Sequence, residues 1–338
     1  MAGKLVAAVT FAVLSVLVAV GTAFAGNGGL GPPAPQTPSG EAISRLYWIV
    51  FGVCAFVFVL VESALLYFIV RFRRRRDTPE DAEGPQIHGN TRIEIIWTVV
   101  PALILAAIAI FAFTQIPAVQ ARGVESENPL VIKVQGHQFY WQYVYPNGGI
   151  SVDTLTLPVD KPVQLELTAY DTIHSWWVPS LTGKLDAIPG RTNTLRFVPE
   201  TIGQFEGKCA ELCGVQHAVM LTTVNVVSQS DYDSFLGSAQ SETGLGKETW
   251  EGVCAKCHGL AGQGDIGPAI AGNPTLTDQD SLTKLVREGQ NTPQLPSYMP
   301  AVGITWPESQ ITALIDYIKS NKTLSTPAPT STTTGGGG

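Results

Sequence analysis

Residues 209–220 read C-A-E-L-C-G-V-Q-H-A-V-M, which places Cys209, Cys213, His217 and Met220 within one short loop's length. Downstream, C-A-K-C-H at 254–258 places Cys254, Cys257 and His258 together. Thiolate, thioether and imidazole are ligands for soft and borderline metals. Their rarity elsewhere strengthens the reading. The chain has 5 cysteines, 5 histidines and 3 methionines in 338 residues. Beyond Met1, the methionines are Met220, inside the first cluster, and Met299, after the second. Core packing does not explain that placement, because Leu fills a core as well as Met does.

The first cluster admits three chemistries. A Cys209–Cys213 disulfide suits an oxidising compartment. A zinc site could use C-x-x-x-C-x-x-x-H with one upstream His. Copper alone gives the thioether of Met220 a purpose. A mononuclear blue copper site takes two His, one Cys and a weak Met, which leaves one thiolate over. Two copper ions bridged by both sulfurs would use every ligand. The second cluster has the C-x-x-C-H spacing of c-type haem attachment, whereas a dithiol redox motif would want a βαβ context.

The elements that must position these groups follow from composition and period. Only 14% of residues are charged and mean hydropathy is positive, so membrane segments are expected beside water-exposed domains. Residues 1–25 carry Lys4, an apolar stretch from Leu5 to Val20 and Ala23-Phe24-Ala25, the pattern of a secretory signal peptide. An uncleaved third membrane helix is the alternative. Residues 26–43, rich in Gly and Pro, are expected to be a flexible arm. A transmembrane hairpin is expected over 44–118, with spans at about 46–70 and 95–116; the first is roughly 37 Å long at 1.5 Å per residue. Arg71, Arg73, Arg74, Arg75 and Arg76 lie between the spans. The positive-inside rule puts that connection in the cytoplasm, and the N-terminus and everything after residue 118 outside. Glu62, within the first span, would face protein or water, or snorkel to the cytoplasmic end. The net charge of −7 excludes nucleic acid as a partner on electrostatic grounds.

Over 128–228 the period becomes two. Val163, Leu165 and Leu167 alternate with polar residues, and turn residues recur at Pro146-Asn147-Gly148-Gly149, Pro189-Gly190 and Pro199. This predicts a β-sandwich or barrel. Residues 229–244 read as a short helix and then a linker. Over 245–321 the period returns to 3.6: Ile311, Leu314, Ile315 and Ile318 share a helix face, and Thr305 with Glu308 reads as a capping box. The tail, 322–338, is low in complexity and expected to be disordered.

Several stretches closely resemble cytochrome c oxidase subunit II. They are H-G-N-T-R-I-E-I-I-W-T-V-V-P at 88–101, G-H-Q-F-Y-W-Q-Y at 136–143, D-T-I-H-S-W-W-V-P-S-L at 171–181, D-A-I-P-G-R at 186–191 and the 209–220 cluster. The resemblance runs from about 40 to 236. It implies a two-helix membrane hairpin and a cupredoxin-like β-barrel holding a binuclear copper A centre. By resemblance Cys209 and Cys213 are the bridging thiolates, His174 and His217 the imidazole ligands, and Met220 a weak ligand. Glu211 is the ligand that binds through its backbone carbonyl; its side chain is implied in a magnesium site shared with subunit I. Glu94 matches an acidic residue at the mouth of a proton channel at the subunit I boundary, although a plain helix-start Glu would serve the dipole equally. The family's aromatic where electrons arrive is commonly Trp; here Phe139 stands there, with Trp141 beyond it. Residues 254–268 resemble a small all-α class I cytochrome c domain. That implies covalent haem c on Cys254 and Cys257, axial ligation by His258 and Met299, and a Pro268 carbonyl that orients the His258 ring.

A copper domain followed by a cytochrome domain resembles the caa-type oxidases. The implied role is to take electrons from a bc-type complex or a cytochrome c and pass them through haem c and copper A to haem a of subunit I. There a haem–copper site reduces dioxygen with proton pumping, and subunit III is implied as well. The implied location is a bacterial plasma membrane, with both redox domains on the extracytoplasmic side. A linker between the domains would hold them at roughly millimolar effective concentration. The competing reading is a membrane-tethered, free-standing cytochrome/copper electron carrier. A copper-free quinol oxidase subunit is excluded, because every copper ligand of the motif is present.

Overall fold

The computed structural model describes residues 31–73, 86, 89–119, 128–238, 242–290 and 299–326. The expected signal peptide, most of the arginine cluster, His88 and the tail beyond Thr326 lie outside the described residues.

Two helices make up the first unit. α1 (Pro38–Phe72) begins earlier than its apolar run, because Thr37 is an N-cap whose Oγ1 accepts from the Gly40 N–H at 2.9 Å and Pro38 occupies the first helical position. Residues 38–43, read from sequence as part of a flexible arm, are therefore the first turns of the helix. α2 (Thr91–Val119) contains Pro101 and Pro117, which membrane helices accommodate. Both helices are long and apolar enough to cross a membrane. Ser39 Oγ donates to the Val119 carbonyl at 2.7 Å, joining the start of α1 to the end of α2. Glu62 is exposed on α1.

The second unit begins with a two-sheet β-sandwich. One sheet has the order β3 (Ile150–Val152), β2 (Tyr140–Val144), β1 (Leu130–His137), β5 (Val163–Ala169), β8 (Asn193–Phe197). The other runs β4 (Thr154–Pro158), β10 (Leu221–Val227), β9 (Gly203–Cys209), β6 (His174–Trp177), β7 (Leu185–Ala187). β1 pairs with β5 and β10 with β4 in parallel; the remaining ladders are antiparallel. Strict alternation on β5 buries Val163, Leu165 and Leu167 against Trp141, Tyr143, Trp176 and Phe197. On β10 the inward residues are Thr222, Val224 and Val226, while Leu221 faces outward. Thr222 is tolerated inside because its hydroxyl meets the Tyr143 hydroxyl at 2.6 Å.

After β10, α3 (Gln229–Ser238) places Tyr232 and Phe235 on Tyr145, with ring centroids 6.4 and 5.2 Å away. A helical run then follows: α4 (Glu242–Thr249), a π turn (Trp250–Cys254) and α5 (Ala255–His258). α6 (Gln279–Glu288), α7 (Glu308–Ser320) and α8 (Lys322–Ser325) complete a helical domain. Its core joins Trp250, Leu282, Val286, Trp306 and the predicted face Ile311, Leu314, Ile315 and Ile318.

That core does not stop at the helical domain. Tyr140 of β2 and Val152 of β3 belong to it. β2 is buried on both faces, with Trp141 and Tyr143 turned into the sandwich and Tyr140 and Gln142 turned toward the helices. Gly252 allows this packing: a Cβ there would lie 2.5 Å from Val152 Cγ1. The expected capping box at Thr305 and Glu308 is not formed. Pro307 is the N-cap of α7, and its ring carries no polar atom to accept a capping hydrogen bond. Thr305 instead turns to β1, where its hydroxyl donates to Gln135 Oε1 at 3.0 Å and lies 3.3 Å from His137 Nε2. The copper-type and haem-type domains are thus packed together over a shared core, where a freely tethered pair was expected.

Candidate functional site

The 209–220 cluster lies at the end of the sandwich where β9 stops and β10 begins. Cys209 closes β9 with its N–H on the Met220 carbonyl at 2.9 Å, so the segment between them must double back as a loop. His174, the first residue of β6, arrives from a different part of the chain. The ligand atoms of His174, Cys209 and Cys213 all lie within 4.8 Å of one another, and all three residues are buried. Cys209 and Cys213 have their sulfurs 3.9 Å apart. Both are free thiols, well beyond the ~2.05 Å of a disulfide. Cys213 Sγ is 3.6 Å from His217 Nδ1 and 3.8 Å from Met220 Sδ. Cys209 Sγ is 3.2 Å from the Glu211 carbonyl oxygen. Two sulfurs thus stand centrally, with an imidazole near each, a thioether and a carbonyl around them.

Buried polar atoms normally have partners. His174 Nδ1 has none among the described residues, while Nε2 is 2.8 Å from Asp171 Oδ1. Asp171 therefore holds the ring so that Nδ1 faces the sulfurs, the carboxylate–histidine arrangement that supports metal ligation. Its other oxygen accepts from the Gln138 N–H at 2.6 Å, and Oδ1 also accepts from the Thr172 N–H at 2.6 Å. Gly136 leaves room for the ring, since a Cβ there would meet His174 Cδ2 at 2.9 Å. Burial pushes the Cys209 thiol up, but the neighbouring His174 and the backbone groups around the sulfur outweigh it and hold the pKa at about 7. Cys213 is pushed up to about 12 by burial and by the neighbouring Cys209. One thiolate is therefore ready near neutrality, and the second proton would leave on metal binding. This donor set fits a copper pair. Glu211 points its side chain outward and is exposed.

The second cluster also fits its expected group. Cys254 and Cys257 are free thiols, and burial lifts Cys254 to about 12. His258 Nδ1 lies 2.8 Å from the Pro268 carbonyl oxygen, so Nε2 is the nitrogen that could ligate an iron. Gly267 gives the ring space: a Cβ there would meet His258 Cε1 at 2.9 Å. Met299 pairs by backbone with Gln290 in both directions, at 2.9 and 3.1 Å.

The two clusters meet. Gln216, beside His217, donates from Nε2 to the Lys256 carbonyl at 3.2 Å. Lys256 lies between the two thiols of C-A-K-C-H. Its Nζ donates to the Phe139 carbonyl at 3.0 Å and to Asp153 Oδ2 at 2.5 Å. Phe139 packs on the copper-type loop, where a Cβ on Gly214 would meet its ring at 2.9 Å, and Gln138 Nε2 donates to the Cys213 carbonyl at 2.6 Å. Trp141 is fully buried, 5.9 Å from the His174 ring in an edge-on arrangement. Burial raises the Asp153 carboxyl pKa, and Lys256 opposes that rise.

Sequence reasoning did not single out Asp171, Gln138, Asp153, Gln216 or Lys256. The D-x-x-H spacing of Asp171 and His174 was a usable sign of a ligand-orienting carboxylate; nothing local marked the others. Glu94 is exposed, and its Oε1 accepts from the Asn90 N–H at 3.1 Å. Asn90 Oδ1 accepts from Arg92 and Ile93 at 3.2 and 3.3 Å. The start of α2 is therefore capped from both sides.

Residues 25–115 match the family described as cytochrome C oxidase subunit II, transmembrane domain, and 150–227 match its periplasmic domain. Residues 242–318 match cytochrome C oxidase, cbb3-type, subunit III. The chain is 33% identical to cytochrome c oxidase subunit 2 of Alkalihalophilus pseudofirmus, over 93% of this chain and 97% of that one. It is 31% identical to cytochrome c oxidase subunit 2 of a Synechocystis species, over 68% of this chain and 82% of that one. Among solved structures, the periplasmic domain of subunit II of cytochrome oxidase from Bradyrhizobium japonicum is 33% identical, covering 33% of this chain and 93% of that one, with a TM-score of 0.32.

Proposed function

Since the chain belongs to the cytochrome c oxidase subunit II family, we propose that it receives electrons for a haem–copper oxidase at its own haem c and hands them to a copper A pair in the adjoining domain. Cys209, Cys213, His174 and His217 would hold the pair, with the Met220 thioether and the Glu211 carbonyl as weaker donors. A pair of ions sharing one electron changes each bond little on reduction, so it accepts and releases electrons with small reorganisation. Burial of Cys209, Cys213, Met220 and His174, backed by Trp141 and Trp176, limits the movement of ligands and water around the pair. Cys254 and Cys257 would hold the haem covalently, and His258 and Met299 would ligate its iron.

The observation that carries this reading is the direct contact between the two clusters, from Gln216 to the carbonyl of Lys256 at 3.2 Å. Haem attachment loop and copper loop are hydrogen-bonded neighbours in one chain. The docked domain occupies the Phe139 carbonyl, and in this reading a separate donor delivers its electrons to haem c. From the copper pair the electron continues to haem a of subunit I, where dioxygen is reduced with proton pumping. The exposed Glu211 carboxylate would share a magnesium ion with subunit I, and Glu94 would stand at the mouth of its proton path. Subunit III, a bc-type or cytochrome c donor and a plasma-membrane location with both redox domains outside complete the assignment.

Cys213→Ser in the assembled oxidase tests the reading. Copper is expected to fall away and oxidase turnover to stop, while haem c remains reducible. Unchanged turnover in that variant would overturn the assignment. Co-purification separates the tethered-carrier alternative: an oxidase subunit should come out with a large haem-bearing partner, a carrier without one.

A further inference from the structure

We propose that Lys256 is the positioning residue for electron transfer within this chain: it clamps the haem attachment loop onto the copper domain. The proposal rests on the haem c to copper A reading above. In C-A-K-C-H the two residues between the thiols have no role in attachment, and nothing in that chemistry calls for a cation. Here the Lys256 Nζ is enclosed by two acceptors from the neighbouring domain, the Phe139 carbonyl at 3.0 Å and Asp153 Oδ2 at 2.5 Å. The two charged side chains are only 18% and 21% exposed, so the pair is shielded from salt and water in a way an exposed pair is not.

Asp153 is itself rigidly held. It occupies the turn between β3 and β4 with φ +57°, a conformation Asp tolerates better than most side chains. Its Oδ1 accepts from the Trp141 N–H at 2.8 Å, and its carbonyl accepts from the Thr222 hydroxyl and the Thr223 N–H, both at 2.9 Å. Phe139, the other acceptor, packs against Gly214 in the copper loop. Lys256 therefore links the thiol-bearing turn, with the proposed iron ligand His258 two residues on, to Phe139 beside the copper loop and to Asp153, which is tied to Trp141 and to β10. The wider docking through Tyr140, Val152 and Trp306 holds the domains together; the Lys256 contacts set how closely this one loop approaches.

The step concerned moves one electron. The haem iron is oxidised by one unit, the copper pair is reduced by one, and no proton or bond changes partners. Its rate depends on separation and orientation, which a displaced loop degrades. The test compares wild type, Lys256→Met, Lys256→Arg and Asp153→Asn in the complete oxidase. Rapid injection of electrons into haem c would be followed by transfer to copper, with both midpoint potentials and amide exchange over 138–141 measured in parallel. Lys256→Met and Asp153→Asn are each expected to slow transfer on the order of tenfold and to speed exchange at 138–141, with both potentials unchanged. Lys256→Arg, which keeps the cation, should recover part of the rate. Asp153→Asn approaches the clamp from the other domain, so the question stays answerable if Lys256→Met does not mature. Equal transfer rates in wild type and both neutral variants would overturn the clamp. So would slowed transfer accompanied by a shifted potential, because driving force would then be the cause. Absence of transfer from haem c to copper in wild type would instead overturn the underlying functional reading.

Discussion

Removing the carboxylate of Asp171 should cost the copper centre much of its affinity, although Asp171 touches no metal. Asp171→Ala deletes the acceptor for the Gln138 and Thr172 N–H groups, each at 2.6 Å, and for His174 Nε2 at 2.8 Å. Hydrogen bonds to a charged group are worth about 1.5–3 kcal/mol each. Two of these bonds shape the loop, and only the third acts on a ligand. The Asp171 side chain is 17% exposed, so water can replace part of what is lost, which favours the lower end of that range. His174 is fully buried, and without Asp171 its ring can turn so that Nδ1 no longer faces Cys209. Loss of such an outer partner typically weakens metal binding about 10–100-fold, which is about 1.4–2.8 kcal/mol. Asp171→Asn keeps a neutral acceptor oxygen for Nε2–H and should lose less, about tenfold or under. The assay is competition of the full chain against a chelator of known copper affinity, with copper per chain as readout and bound iron as internal control. Wild-type copper retention by a folded Asp171→Ala chain would show that the ring is oriented by something other than this carboxylate.

Two further outcomes are expected. Met299→Leu should lower the haem midpoint potential, since thioether ligation raises it; a redox titration that finds the wild-type value would assign the sixth position to another group. Gly252→Ala puts a methyl 2.5 Å from Val152 Cγ1, and overpacking of this kind costs about 1–3 kcal/mol. Faster amide exchange over 150–152 is the expected sign that the domains have been wedged apart, and unaltered exchange would mean that the contact yields without cost.

Much of the site was legible locally. The thiols and imidazoles at 209–220 and 254–258 and the single thioether of Met220 stand out by type and spacing, because ligands contributed by one tight loop must be close in sequence. The apolar runs within α1 and α2 and the alternation on β5 are equally local, since burial on one face imposes the period of the element. The early start of α1 was legible in principle, as Thr37-Pro38 is an N-cap followed by a favoured first residue. The capping box misled because Pro307 already supplies the helix start, which frees Thr305 for β1.

What the tertiary structure alone decided is the joining of the two clusters. Strand pairing brings His174 and Asp171 to a loop that begins at Cys209, and no period in the sequence encodes that distance. β2 is buried on both faces, so Tyr140 and Gln142 serve a second core that alternation assigns to solvent. Lys256 reads as an ordinary exposed lysine until Asp153, more than a hundred residues earlier, is found against it. Local sequence specifies which groups are available and which way each element must face. Their mutual distances, on which the proposed electron transfer depends, are set by long-range packing of β2 and β3 against the helices that follow.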